Sequence, residues 1–245
     1  MAFSLRKGSP RAAAVLLAAL GLLGGCATPS IDDPARMGPF FTPANHAGEA
    51  QLPATVRRVV MLPLAGGTVA DADSASALDP VFLTELQKRN RFEIVRLTRE
   101  ECLHHFRAEE FSSTAALPSN FLEVLRREFA ADAVLFIDLT VYKPYRPLAL
   151  GVRAKLATLG DDVRLLWTFD NMFSTADAAV ANSARHHFLD SDRRGMPGDS
   201  TQAVLESPSR FASYVASAMF ATLPVVATPP RPAAGESGAS KANHH

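Results

Sequence analysis

Histidine is the residue type in this 245-residue chain best suited to binding a metal, and six of the seven histidines form adjacent pairs. The pairs are His104–His105, His186–His187 and His244–His245. Helical metal sites usually place their ligands three or four positions apart, because adjacent side chains on a helix point away from each other. We therefore predict no metal site and no cofactor, with one exposed and one packed ring in each helical pair.

Spacing patterns that position a nucleophile, a phosphate or a zinc ion are not found in the sequence. It contains no Gly-x-Ser-x-Gly, Gly-x-Gly-x-x-Gly, P-loop, His-Glu-x-x-His or Cys-x-x-Cys motif. Asp177, Asp190 and Asp192 lie near Arg193 and Arg194 in a stretch that we interpret as a solvated surface loop. We predict that the chain is not an enzyme. A hydrolase built from scattered Ser, His and Asp residues is the alternative.

The residues before Cys26 have the order of a secretory signal. A basic start is followed by a short apolar run from Ala12 to Leu23, well below the ~20 residues that span a bilayer as a helix. Leu23-Gly24-Gly25-Cys26 resembles the lipobox of bacterial lipoproteins, in which the cysteine is acylated and the chain is cut before it. The resemblance implies a signal peptide over residues 1–25 and lipidation of Cys26. An ordinary secretory signal with an unrelated cysteine is the alternative.

The residue after the cysteine bears on the destination of such a lipoprotein. Many lipoproteins retained in the inner membrane carry Asp at this position, and here it is Ala27. The resemblance therefore implies a lipid anchor in the outer membrane, with the chain facing the periplasm.

Charge and cysteine content limit the partners further. The first 25 residues hold three basic and no acidic residues, so the rest of the chain has 22 basic against 25 acidic residues, a formal charge of −3. This balance gives no electrostatic footprint for nucleic acid. An acylated Cys26 cannot form a disulfide with Cys102, the other cysteine, which we expect to be a small buried apolar side chain in a helix.

Two proline-rich or polar segments flank one foldable region. Residues 26–55 hold five prolines after the cysteine and predict a tether, with a flexible span of ~30 Å. The alternative is that this segment packs along the domain through Phe40 and Phe41. Residues 224–245 are predicted to be a disordered tail, because they contain no aromatic residue. Residues 56–223 form the predicted single domain.

The periodicity of this region predicts an α/β domain. Apolar runs and alternation predict five strands, at 57–64, 92–97, 133–142, 152–158 and 163–169. Helices are predicted from Asp79-Pro80, from a Thr98/Glu101 capping box, from Ser119 or Asn120, over 176–189 and from Ser207-Pro208. The resulting order, βαβααβββαα, favours a mixed sheet covered by helices. We also expect Trp167 to share a buried face with Val163, Leu165 and Phe169.

Three segments together resemble a group of bacterial envelope proteins. They are the strand Arg57-Arg58-Val59-Val60-Met61-Leu62-Pro63-Leu64, the junction Phe129-Ala130-Ala131-Asp132-Ala133-Val134-Leu135 and the hairpin end Val163-Arg164-Leu165-Leu166-Trp167. The group includes the amino-terminal domain of TolB, the curli-secretion lipoprotein and lipoprotein activators of penicillin-binding proteins. The resemblance implies a periplasmic domain that binds other envelope proteins. It does not imply a channel, because loops 65–77 and 108–118 lack the ~10-residue alternating segments of a membrane barrel.

The segment Tyr142-Lys143-Pro144-Tyr145-Arg146-Pro147 is our candidate for partner binding. Tyrosine and arginine dominate binding hot spots, and prolines hold a backbone extended. We therefore predict that Tyr142, Tyr145 and Arg146 contact a partner, with a plain rigid crossover as the alternative.

These features together favour a lipid-anchored, non-catalytic adaptor or assembly factor of the cell envelope. Its expected partners are the membrane, through the anchor, and an envelope protein. A self-associating structural lipoprotein is the alternative among non-catalytic functions, and homo-oligomerisation is left open.

Overall fold

The computed structural model of this chain describes residues 33–160, 162–192 and 202–227. Six strands form one sheet in the order β1-β6-β5-β4-β2-β3. The strands are β1 (His46–Gly48), β2 (Arg58–Met61), β3 (Glu93–Arg96), β4 (Ala133–Lys143), β5 (Ala149–Thr158) and β6 (Leu165–Ser174). The helices are α1 (Pro34–Met37), α2 (Ala72–Gln87), α3 (Arg99–Phe106), α4 (Phe121–Glu128), α5 (Ala178–Asp192) and α6 (Pro208–Ala221), with a 3-10 helix at Gln202–Leu205.

The sheet is mixed, which confirms the predicted fold class. β2 is parallel to both β3 and β4, whereas β4, β5, β6 and β1 follow one another in antiparallel pairs. Five of the six strands are those predicted. The sixth, β1, comes from the segment expected to be a tether.

Helices cover both faces of the sheet and create two cores. α2, α5 and α6 pack on one face, where Phe82, Trp167 and Phe211 are fully buried. α3 and α4 cover the other face around Phe121. Within the described ranges, no helix is both long enough and apolar enough to cross a membrane.

Two predicted helix starts are confirmed at the level of hydrogen bonds. At α3, the Thr98 hydroxyl accepts the amide N–H of Glu101, while the Glu101 carboxylate accepts the Thr98 amide at 2.8 Å. At α6, Ser207 caps the helix and Pro208 occupies its first turn. Both motifs satisfy amide groups that have no partner inside the helix.

The start of α2 corrects the sequence prediction. Asp79-Pro80 was expected to open this helix, but Asp71 caps it through the Ser74 amide at 2.7 Å, and Pro80 lies inside the helix. The Asp79 side chain is instead buried and accepts the Leu64 amide at 2.8 Å. Asp79 therefore joins α2 to the segment that follows β2.

A bulge in β6 corrects the predicted burial of the hairpin. Trp167 and Phe169 are buried as expected, but Val163 and Leu165 are exposed and Leu166 is buried. Leu156 pairs with Trp167 while Ala157 pairs with Leu165, so Leu166 is an extra residue. An extra residue reverses the side-chain alternation, and this places Leu165 on the opposite side from Trp167.

Residues 33–55 pack along the domain, as expected from the alternative to a free tether. They include α1 and the edge strand β1, and Phe41 contacts the buried Phe173 with ring centroids 5.1 Å apart. The chain after α6 also adds to the domain, because Leu52 exchanges backbone hydrogen bonds with Val225 and Ala227. Residues 1–32, which include Cys26, and residues 228–245 lie outside the described ranges.

Candidate functional site

Residues 142–147, which comprise the last two residues of β4 and most of the turn into β5, are called the tyrosine loop below. A bulge at Thr140 shifts the pairing, so that Leu139 faces Val152 while Tyr142 faces Leu150. Tyr142 is therefore half-buried against the core formed with α2, α5 and α6. Tyr145 lies at the other extreme, with 83% of its surface exposed. One tyrosine thus anchors the loop and the other is displayed.

The third predicted contact residue, Arg146, is held within the protein. Its Nη2 atom lies 2.6 Å from Glu206 Oε1, and its Nε donates to the Leu205 carbonyl at 3.3 Å. These contacts tie the tyrosine loop to the segment that precedes α6. The exposed guanidinium therefore fixes the loop, and Tyr145 is the member of the predicted trio best placed to meet a partner.

A groove of about 440 Å³ runs beside Tyr145. Its walls are the tyrosine loop itself together with Ala149 and Ser174 from the adjoining strands. Lys143 adds an exposed cation to its wall. Aromatic, proline and cationic groups around a groove can bind an apolar or acidic side chain of another protein.

A partly buried charged cluster lies at the ends of the parallel strands, where many α/β proteins bind ligands. Arg99 Nη1 lies 2.9 Å from Glu110 Oε2, its Nη2 donates to the Leu64 carbonyl at 2.7 Å, and its Nε lies 3.3 Å from Asp79 Oδ2. Glu110 also accepts the Gly66 and Gly67 amides. The cluster therefore fastens the loop after β2 to α2 and α3.

The pKa values of the two carboxyl groups in this cluster are shifted in opposite directions. Burial raises the pKa of Asp79, and the Leu64 amide and Arg99 only partly oppose it. Burial also acts to raise the pKa of Glu110, but the Gly67 amide and Arg99 outweigh it, and this pKa is lowered. Desolvation thus dominates at Asp79, whereas hydrogen bonds and Arg99 stabilise the charged form of Glu110.

A second polar connection fixes the loop before α4. Asp138 on β4 accepts the amide of Ser113 at 2.9 Å and its hydroxyl at 2.6 Å, and Lys155 donates to the Ser113 carbonyl at 2.9 Å. The sequence did not single out Asp138 or Arg99, and it marked Asp79 only as the start of a helix. The signal that could have found Asp138 is an acidic residue inside the apolar run of β4, since buried carboxylates need defined partners.

The histidine predictions are partly corrected. His104 and His105 are both exposed, but the His105 ring packs edge-on against Phe129 with centroids 5.4 Å apart. His186 packs its ring against Phe40 with centroids 4.8 Å apart. Among the described residues, no group of three His, Cys, Asp or Glu side chains could hold a metal ion. His244–His245 lie outside those residues.

The other residues named from the sequence either have a structural role or have side chains outside the described part of the chain. Cys102 is fully buried, as expected. Asp177 is exposed and accepts the Ala179 amide at 2.8 Å at the start of α5. The side chains of Asp190 and Asp192, and all of Arg193 and Arg194, lie outside the described structure.

No protein-family model and no curated protein sequence matches this chain. Solved structures with a similar arrangement include a PelC dodecamer from Paraburkholderia phytofirmans, at 12% identity and a TM-score of 0.39, covering 71% of this chain and 94% of that one. Lipoprotein GNA1162 from Neisseria meningitidis is 12% identical with a TM-score of 0.37, covering 57% of this chain and 99% of that one. The hypothetical protein CT253 from Chlamydia trachomatis is 14% identical with a TM-score of 0.36, covering 48% and 72%. At these scores the likeness assigns no function to this chain.

Proposed function

We propose that this chain is a lipid-anchored, non-catalytic adaptor of the bacterial cell envelope. It is held at the outer membrane through Cys26, faces the periplasm and acts through protein–protein contacts. The signal-like residues 1–25 and the lipobox support the anchor. The observation that carries the adaptor function is the exposure of Tyr145 on a loop whose two sides are fastened to the fold.

The fastening matters because binding has to offset the entropy of ordering an interface. Tyr142 packs on the core at one side of the loop, and Arg146 pairs with Glu206 at the other. A loop that is already ordered loses less entropy when it docks. An exposed tyrosine on such a loop offers a large contact area and a hydroxyl at its tip, which is typical of binding hot spots.

A photo-crosslinking amino acid at position 145, introduced into the full chain in intact cells, tests this proposal. The matched control carries the same amino acid at position 163, because Val163 is also exposed but lies beyond the opposite end of the β5–β6 hairpin. We expect a discrete crosslinked product from position 145 that is missing from position 163.

The crosslinked masses separate the candidate functions. A product that contains a different envelope protein supports the adaptor. A product of twice the chain mass supports the self-associating lipoprotein instead. Identical products from positions 145 and 163, or none from either, contradict docking through the tyrosine loop.

The anchor has its own test. Cys26→Ser is expected to leave an unprocessed or mislocalised precursor, while the mature wild-type chain carries acyl mass and sediments with outer membranes. Stable anchoring needs more than one acyl chain or a second membrane contact. A wild-type chain found without acyl mass in the soluble periplasmic fraction would contradict this assignment.

A further inference from the structure

The chain is already fastened to the domain at its first described residue. Residues 33–48 are called the N-terminal strap below. Asp33 Oδ1 lies 3.4 Å from Arg185 Nη2 on α5, and the Ala35 carbonyl lies 2.9 Å from His186 Nδ1. Ala35 is fully buried. The strap is thus part of the fold from α1 onward.

Two further contacts continue this attachment along α5. Asn182 Nδ2 donates to the Pro39 carbonyl at 3.3 Å, and the Ser183 hydroxyl accepts the Phe41 amide at 2.8 Å. Four polar side chains of one helix therefore follow the strap over its first nine residues. This fixes the side of the domain on which the strap begins.

The attachment sets a short distance to the proposed anchor. Only six residues separate Cys26 from Asp33. Consecutive Cα atoms of a fully extended chain advance by at most ~3.6 Å, so these two residues are at most about 25 Å apart. The start of the strap must therefore stay within about 25 Å of the acylated residue.

Two large apolar side chains are exposed at this place. Met37, at the end of α1, has 65% of its surface exposed, and Phe40 has 43% exposed. Gly38 between them has a φ of 83°, and a Cβ there would crowd the Phe40 ring. After the turn at Gly38, the Phe40 ring packs on His186 with centroids 4.8 Å apart. Met37 and Phe40 therefore flank this turn, three residues apart on the strap. Arg36 beside them is also exposed.

We infer that Met37 and Phe40 form a second membrane contact, inserted at the boundary between lipid headgroups and acyl chains. This inference rests on the proposed anchor at Cys26. Single exposed apolar residues are common on protein surfaces. Here the anchor gives them a high effective concentration at the bilayer, which two side chains could not reach alone. The contact would turn the α5 side of the domain toward the membrane, and Arg36 would lie near the phosphates of anionic lipids.

Fluorescence quenching in reconstituted vesicles tests this inference. The acylated full chain carries Met37→Trp, and the vesicles contain phosphatidylglycerol and phosphatidylcholine brominated on its acyl chains. The matched control is Leu103→Trp, because Leu103 is 46% exposed on α3, which covers the opposite face of the sheet. The signal of the buried Trp167 is subtracted with the wild-type chain. We expect the quenched fraction at position 37 to exceed that at position 103 by at least ~2-fold.

Two further measurements distinguish a loss of folding from a loss of anchoring. Circular dichroism and acyl mass are recorded for each variant before quenching. Adding Phe40→Asp to the Met37→Trp chain is expected to lower the quenching at position 37 while the chain stays on the vesicles. Equal quenching at positions 37 and 103 in an acylated, vesicle-bound chain overturns this inference and leaves the anchor intact. A chain that carries no acyl mass overturns the proposed anchor and this inference with it.

Discussion

Arg99 and Asp79 face each other across the ends of β2 and β3, with Arg99 Nε 3.3 Å from Asp79 Oδ2 and both side chains largely buried. The same guanidinium contacts Glu110 and the Leu64 carbonyl. One cation thus compensates two carboxylates and holds the loop that follows β2.

Replacing Arg99 by Met should destabilise the domain strongly. The change leaves Asp79 and Glu110 close together without their cation, and removing one partner of a buried pair typically costs about 3–5 kcal/mol. Urea unfolding at neutral pH measures this loss. Arg127→Met is the control, because the Arg127–Glu123 pair is exposed, and such pairs contribute at most ~1 kcal/mol. Equal effects of the two changes would contradict the importance of the cluster.

Asp79→Asn should have an effect that depends on pH. The raised pKa means that the folded chain binds a proton more readily than the unfolded chain, so the free energy of unfolding falls as pH rises from 3.8 through the folded-state pKa. The Asn variant lacks this penalty and should gain stability relative to wild type as pH rises across that range.

Glu110→Gln should change the pH dependence of the free energy of unfolding in the opposite direction. Its lowered pKa stabilises the fold above the ordinary value of 4.5, and this stabilisation is lost as pH falls through the folded-state pKa. The Gln variant should therefore lose most, relative to wild type, at neutral pH. Urea unfolding of wild type and both variants over a pH series measures the two trends, and parallel curves for all three would contradict the assignments.

Trp167 should be the most costly aromatic residue of the hairpin to remove. It is 1% exposed, and its indole N–H donates to the Thr222 hydroxyl at 3.2 Å at the end of α6. Trp167→Ala should destabilise by about 3–5 kcal/mol, because it leaves a cavity between sheet and helix. Leu165→Ala, at a position 54% exposed, should change stability by only ~0.5 kcal/mol. Thermal unfolding compares them, and an unchanged midpoint for Trp167→Ala would reject its structural role.

Asp138→Ala should loosen the loop before α4 more than it changes the global fold. The change leaves the Ser113 amide and hydroxyl without their acceptor, at a cost of about 1–3 kcal/mol. Hydrogen exchange should show faster exchange of the Ser113 amide. Glu123→Ala, on the exposed surface of α4, should leave this amide unchanged. Equal protection of Ser113 in the Asp138 variant and wild type would show that Asp138 does not hold the loop.

Cys102 should resist alkylation in the folded protein. Burial, with the nearby Glu101 carboxylate, raises the pKa of its thiol to about 12, and only the thiolate reacts rapidly. Iodoacetamide should label this residue only after unfolding in urea. In the Leu103→Cys variant the new, exposed thiol of the same helix should react in the native state. Rapid labelling of position 102 in folded wild type would contradict its burial.

The fold class followed from the sequence because apolar runs and helix caps report local physics. The Thr98/Glu101 box and Ser207-Pro208 fix helix starts within a few residues, and both are found. The predicted start of α2 was wrong because Asp71 and Asp79 are both residues of the type that caps a helix N-terminus. Only the tertiary contact of Asp79 with the Leu64 amide decides between them.

A bulge also accounts for the error in the predicted burial of the hairpin, and a second bulge sets the orientation of the tyrosine loop. The extra residues Thr140 and Leu166 change which face the following side chains occupy. Alternation along one strand cannot reveal this, because a bulge depends on the partner strand. Gly151, beside the first bulge, could have hinted at it, since a Cβ there would meet the Thr140 hydroxyl.

The candidate docking loop was predictable in composition but not in arrangement. Proline, tyrosine and arginine marked residues 142–147 as unusual. The distinct positions of Tyr142, Tyr145 and Arg146 depend on the Thr140 bulge and on Glu206, 60 residues away in the chain. Contacts at such separation leave no local pattern.

The three residues of β1 also bear on aggregation. They pair with Trp167, Thr168 and Phe169 of β6, whose outer backbone would otherwise be an open edge of a long apolar strand. Open edges of this kind recruit strands from other molecules. At the opposite edge, β3 is short and carries Glu93 and Arg96 at its ends, features that discourage such pairing. A cut between Gly48 and Leu52 would thus leave β1 held only by its own contacts, and its loss would open the backbone of β6 to pairing with strands of other molecules.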